Sequence, residues 1–392
     1  MDLPKAIRDL YYPPICDFKD LAEKTTDPAK KVYDLSQAVP DYPPPEEIRL
    51  ALKRFLNTDD YSHYTADEGT RELREAIAQE LGRLYARPPA AESICLTAGA
   101  NNAFFSVLNT LAEAGDEIVF LAPYYFNYYM AAVIRGLKPV EIVRDPAAGF
   151  PLPLAEIERA LGPRTRAVVL VNPCNPTGRS SAQEEVDALF ALCRERGVVL
   201  ISDEVYNYFH DAYPRPASVL NIEGFEEHAV AVHSYSKTFS LTGLRVGFVA
   251  ASTRFLREFM KVHDTNVICA PSIGQAAALG GLRASRAWLE GKIEMMRARL
   301  KAFQDAFASR PSRFRLRAAG AFFVYLESDM CASADEICRG FLRKENIIML
   351  PGTFFGPGQE RCVRLALGNV SAEEIPAVVD KMHAFGAGAE RS

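Results

Sequence analysis

The sequence predicts an α/β protein: a large domain with a mainly parallel seven-stranded sheet between helices, plus a smaller α+β domain. Three observations carry this. The middle of the chain alternates short apolar runs with helical patterns, which implies a parallel sheet wrapped by helices. Several of the runs, such as AVVLV and VVLIS, are apolar at every position, as strands covered on both faces are. Near residue 280 the pattern changes to a long charged helix followed by few strands.

The predicted strands are 93–97, 117–121, 139–143, 167–171, 198–202, 229–232 and 246–250. A helix over 70–85 places Leu73, Ile77, Leu81 and Leu84 on one stripe, and one over 182–196 does the same with Val186, Leu189 and Leu192. Beyond residue 280 the reading is a helix over 285–309, strands at 321–326 and 363–366, and a closing helix from 372. Pro-rich stretches at 12–14 and 40–45 mark an extended N-terminal segment. The resulting division is 1–45 as a segment joining the small domain, 46–284 as the large domain and 285–392 as the small one.

At 392 residues the chain is long enough for two cores. Its net charge of −5, without a basic block, argues against nucleic acid or an anionic membrane as partner. The start of the chain shows no apolar core of signal-peptide length, and no apolar run reaches membrane-spanning length. Eight cysteines are scattered without a C-x-x-C, which reads as reduced thiols in a cytoplasmic protein. The six histidines form no metal-binding spacing, so no metal is expected.

Ligands of open α/β sheets sit at the carboxyl ends of strands. Four such junctions carry unusual residues. Strand 93–97 runs into Ala98, Gly99, Ala100 and Asn101, and strand 167–171 into N-P-C-N-P-T-G with Asn175. Strand 198–202 runs into Asp203-Glu204-Val205-Tyr206, and strand 229–232 leads to Ser234-Tyr235-Ser236-Lys237, with Arg245 eight residues later. Each alone has a plain reading: a lysine in a surface turn, a rigid Pro/Gly loop, a helix N-terminus with a capping acid. In this order and spacing they supply what a pyridoxal 5'-phosphate site needs. Lys237 is the amine for a Schiff base and for moving the Cα proton. Asp203 is the carboxylate that keeps the pyridine nitrogen protonated. Asn175 and Tyr206 offer hydrogen bonds to the ring oxygen. The amides of Gly99, Ala100 and Asn101 open a helix and make an anion nest for the phosphate, which Ser234, Ser236 and Arg245 complete.

The chain resembles the fold-type-I, class I/II aminotransferase family from about residue 33 to its end. HSYSKTFSLTGLRVGF resembles that family's lysine signature, VNPCNPTG its asparagine loop, and YTADEGTRELREAIA its Tyr-x-x-x-x-Gly-x-x-x-Leu-Arg pattern. The resemblance implies that Tyr64 reaches the phosphate of the neighbouring subunit's cofactor, hence a homodimer with shared active sites. CVRLALGN resembles the strand whose arginine, here Arg364, binds the substrate α-carboxylate; Arg361 reads as a solvated strand-end residue. Tyr125, in APYYFNYY, falls where the family sets an aromatic ring against the cofactor. DLSQAVPDYPP resembles the segment whose backbone amide touches the substrate carboxylate, and here Ala38 stands where glycine is frequent. Asn175 and Ala38 thus join Arg364 as substrate contacts.

The reaction this implies is ping-pong transamination between an amino acid and a 2-keto acid. Elimination, cyclisation or oxidase-like chemistry on an amino acid would use the same residues, and a cofactor-binding regulator is a remoter alternative. The donor's side chain stays open, because no distal cation is identifiable: Arg135, Lys138, Arg283 and Arg286 are the available charges.

Overall fold

In the computed structural model, which describes residues 3–388, β1 (Tyr33–Asp34) precedes seven strands that match the predicted apolar runs. These are β2 (Ile94–Thr97), β3 (Glu117–Ala122), β4 (Lys138–Val143), β5 (Thr165–Val171), β6 (Val199–Asp203), β7 (Ala229–Ser234) and β8 (Gly247–Ala250). They form one sheet in the order β2-β8-β7-β6-β5-β3-β4. The pairs from β7 to β4 are parallel, and β8 is antiparallel to both of its neighbours.

Successive residues of these strands enter different cores, because side chains alternate across a sheet. In β5, Val168 and Leu170 pack in one core and Ala167, Val169 and Val171 in the other. Helices Arg71–Leu84 and Gln183–Glu195 cover the first face, through Leu73, Ile77, Val186 and Leu189. Helix Ala100–Leu111 covers the second, through Ala103, Phe104 and Val107. Burial on both faces is why the runs lack polar residues; each such side chain contributes on the order of 1.5–3 kcal/mol. Register then decides where the site lies. Val171 of β5 pairs with Asp203 of β6, and Asp203 with Val232 of β7, so three strand ends open at one edge.

A second sheet comprises β9 (Phe314–Gly320), β10 (Phe323–Ser328), β12 (Leu350–Pro351) and β13 (Cys362–Ala366), all antiparallel. The short β11 (Ile347–Ile348) pairs with β1, tying the N-terminal segment to this part of the chain. Gly178, with φ +74°, packs so closely on Gly320 that a Cβ would lie 2.2 Å from the Gly320 carbonyl oxygen. That contact fixes the loop after β5 against the end of β9.

Three expectations are corrected. The strand expected at 321–326 begins two residues later, because Ala321, with φ +47°, and Phe322 form the turn from β9 to β10. The closing helix starts at Ile375, after a turn over 372–374. The N-terminal segment is not simply extended: Pro14–Thr25 is a helix that buries Phe18 and Ala22. Pro14 suits its first position, where no helical N–H is needed. Among the described residues no helix is long and apolar enough to cross a membrane.

Candidate active site

A cavity of about 390 Å³ opens over the ends of β5, β6 and β7. Asp203, the last residue of β6, lies on its floor with its carboxylate out of water. Tyr128 donates to its Oδ2 at 2.6 Å and the Val205 N–H to its Oδ1 at 3.0 Å. Burial pushes its carboxyl up to about 6, against the opposing pull of those two hydrogen bonds. A carboxylate kept there calls for a cationic or N–H partner on its open side.

Lys237 follows β7 and reaches the same cavity, where its ammonium donates to the Ala38 carbonyl. Burial first, and then the charges of Arg245 and Arg364, bring its amine down to about 8. Its backbone carbonyl accepts from the Tyr42 hydroxyl at 2.7 Å. Arg364, in β13, enters from the second sheet and is buried over the rings of Phe323 and Phe355 at 5.3 and 5.0 Å. It donates to Asn175 Oδ1 at 3.1 Å and to the Ser36 carbonyl, and its Nε has no protein partner. Burial lowers its guanidinium to about 10, so the charge survives at neutral pH. A buried, under-partnered cation of this shape suits a carboxylate.

Asn175 and Tyr206 line the cavity, and the Tyr206 ring packs on Phe322 and Phe323. Burial raises its phenol, so Tyr206 stays a donor. Tyr125 is both cavity wall and aromatic cluster: its ring meets Phe126 and Tyr128 at 5.0 and 5.2 Å, and its oxygen accepts from Asn127 at 2.8 Å.

Gly99, with φ +83°, caps helix Ala100–Leu111, and a Cβ there would fall 2.4 Å from the Arg245 guanidinium. Arg245 is held over this turn by the carbonyls of Ala98 (3.2 Å) and Thr242 (3.1 Å). Ser234 and Ser236 place their hydroxyls 2.9 Å apart beside it on the cavity wall. Helix amides, two hydroxyls and a guanidinium thus converge on one space, the donor set of an anion cradle.

Ala38 lines the cavity as expected. Tyr64 does not: it is 76% exposed and outside the lining. Arg361 is exposed, yet its guanidinium bonds the carbonyls of Ser328 and Met330, so it fastens a strand end rather than standing free in solvent. Sequence reasoning missed Tyr128, on the helix Phe126–Ile134, which meets Asp203 across 75 residues. It also missed Tyr42 and the wall formed by Pro13, Ile15, Cys16 and Gln37, for which no local signal exists.

Comparison with known proteins shows the family. The family described as aminotransferase class I and II matches residues 30–382. An aspartate aminotransferase of Pyrococcus abyssi is 29% identical over 360 residues, covering 90% of this chain and 91% of that protein. Aromatic-amino-acid aminotransferase 2 of Thermococcus litoralis is 28% identical, covering 90% and 94%. The crystal structure of an aromatic aminotransferase from Pyrococcus horikoshii superposes with a TM-score of 0.85 at 28% identity, covering 95% of this chain and 99% of that one.

Proposed function

The chain belongs to the class I and II aminotransferases, enzymes that move amino groups between amino acids and 2-keto acids, and we propose that it does so by ping-pong transfer on pyridoxal 5'-phosphate held between Asp203 and Lys237. Members of this family use that cofactor, and the residues present suit it. The observation that carries the reading is Asp203: a water-free carboxylate on the floor of the cavity that Lys237 enters. The cradle formed by Gly99, Ala100, Asn101, Ser234, Ser236 and Arg245 suits the phosphate. Asn175 and Tyr206 would meet the ring oxygen, and Tyr125 the ring face.

When bound, the cofactor supplies an electron sink for the charge left on Cα. The chain's residues do the rest. Arg364 holds the donor's α-carboxylate, with Asn175 and the Ala38 amide beside it. Lys237 takes the Cα proton and returns it two atoms away, across the amino nitrogen; burial and the charges of Arg245 and Arg364, which bring its amine down to about 8, favour the free base this needs. Asp203 keeps a proton on the ring nitrogen, and Tyr128 holds that carboxylate in place.

We read residues 46–284 as the cofactor-binding domain and 285–392, joined by 1–45, as the smaller one. Tyr64 serves a neighbouring subunit of a homodimer; its exposure outside its own cavity supports this. The cysteine pattern supports a cytoplasmic enzyme. Borohydride reduction of the holoenzyme and peptide mapping test the proposal. A pyridoxyl group on the Lys237 peptide is expected, and label on another lysine would overturn it.

A further inference from the structure

We propose that the pocket for the donor's side chain is uncharged, so that this enzyme takes neutral amino acids in preference to dicarboxylic ones. The proposal rests on the transamination reading above and extends it to substrate class. Among the described residues the cavity presents three cations, Lys237, Arg245 and Arg364. In that reading all three are committed, Lys237 to proton transfer, Arg245 to the phosphate and Arg364 to the α-carboxylate. None is left for a second carboxylate.

Apart from Asp203 on the floor, which that reading assigns to the ring nitrogen, the rest of the wall is neutral: Pro13, Ile15 and Cys16 from the N-terminal segment and its helix, with Gln37 and Asn127. The cations just outside are engaged elsewhere. Lys19 donates to Gln37 Oε1 at 3.1 Å but lies 3.5 Å from Asp34, which balances its charge. Arg144 is buried against the carbonyls of Ala122 and Pro123 and the Cys174 sulfur. Of the four charges left open by the sequence, Arg283 pairs with Glu72, Arg286 with Glu80, and Arg135 bonds the Ala112 carbonyl. Lys138 is exposed at the start of β4, the end of the strand remote from the cavity. A side-chain carboxylate entering this pocket would lose water and gain no counter-ion from the described residues of its own chain, whereas an apolar, thioether or amide group loses little.

The test uses holoenzyme with methionine, phenylalanine, glutamine, aspartate and glutamate as sole donors, read by the cofactor's spectral change. The best neutral donor should exceed both acids in kcat/KM by about tenfold or more. A second readout needs no turnover: 2-methylphenylalanine and 2-methylaspartate lack the Cα hydrogen, and the former should bind more tightly in a spectral titration. An acid that equals or beats the neutral donors, or tighter binding of 2-methylaspartate, would overturn the proposal; it would mean that a second copy of the chain supplies the missing cation. If no donor converts the cofactor, the transamination reading fails, while the 2-methyl pair still decides the side-chain class.

Discussion

Asp203, Asn175 and Arg364, on the floor of the cavity, are 4%, 7% and 2% exposed, whereas Arg245 and Tyr64, at or beyond its rim, stand in solvent. The floor is built by one chain. Strand register brings Asp203 beside the loop of Asn175, the second sheet delivers Arg364, and burial shifts the acid up and the guanidinium and Lys237 amine down. At the rim an exposed arginine is screened by water, so on its own it would hold a phosphate weakly. On the proposed reading, the difference teaches that the chemistry is encoded within one subunit, while grip on the cofactor's phosphate would need another surface to exclude water.

The floor breaks most severely at Asp203. An Asp203→Asn variant should keep its fold but slow Cα proton removal by about two to four orders of magnitude, since an amide cannot hold the ring nitrogen's proton. Single-turnover rates with one amino donor measure this, and near-wild-type rates would move the carboxylate's role to another residue.

Most of that floor was readable because it sits at strand ends, and the strands were readable because both faces are buried: AVVLV, rich in β-branched residues and apolar at every position, suits a strand covered on both sides. The second sheet was harder. In β9, FRLRAAG, Arg315 is exposed and Leu316 to Ala319 are only partly buried, so neither the alternation nor an apolar run stands out. Tyr128 meets Asp203 across 75 residues, and the wall of Pro13, Ile15 and Cys16 is brought to the cavity from the start of the chain. Neither leaves a local signature. Three of the four spare charges could be discounted only once their partners were visible, as Arg286 with Glu80 shows, and Lys138 only once its place at the start of β4 was.

A milder perturbation sharpens the same contrast through pH. In the cofactor-free enzyme, burial and the two arginines disfavour the Lys237 ammonium, so its free base should appear on raising the pH through about 8. The rate at which the apoenzyme captures pyridoxal phosphate should therefore rise about tenfold per unit below that point and level off above it. A midpoint near the ordinary lysine value would show that the floor is wetter than its burial implies.

Subunit exchange tests the division between floor and rim most directly. Tyr64→Ala and Lys237→Ala proteins, each of low activity, are mixed and allowed to exchange, with hybrid formation verified by mass. If Tyr64 completes its neighbour's site, a hybrid has one site with both lesions and one intact. Random exchange should then restore about a quarter of wild-type activity, since half of the dimers are hybrid. If Tyr64 serves its own subunit, every site keeps one lesion; hybrids formed without recovered activity would contradict the shared rim.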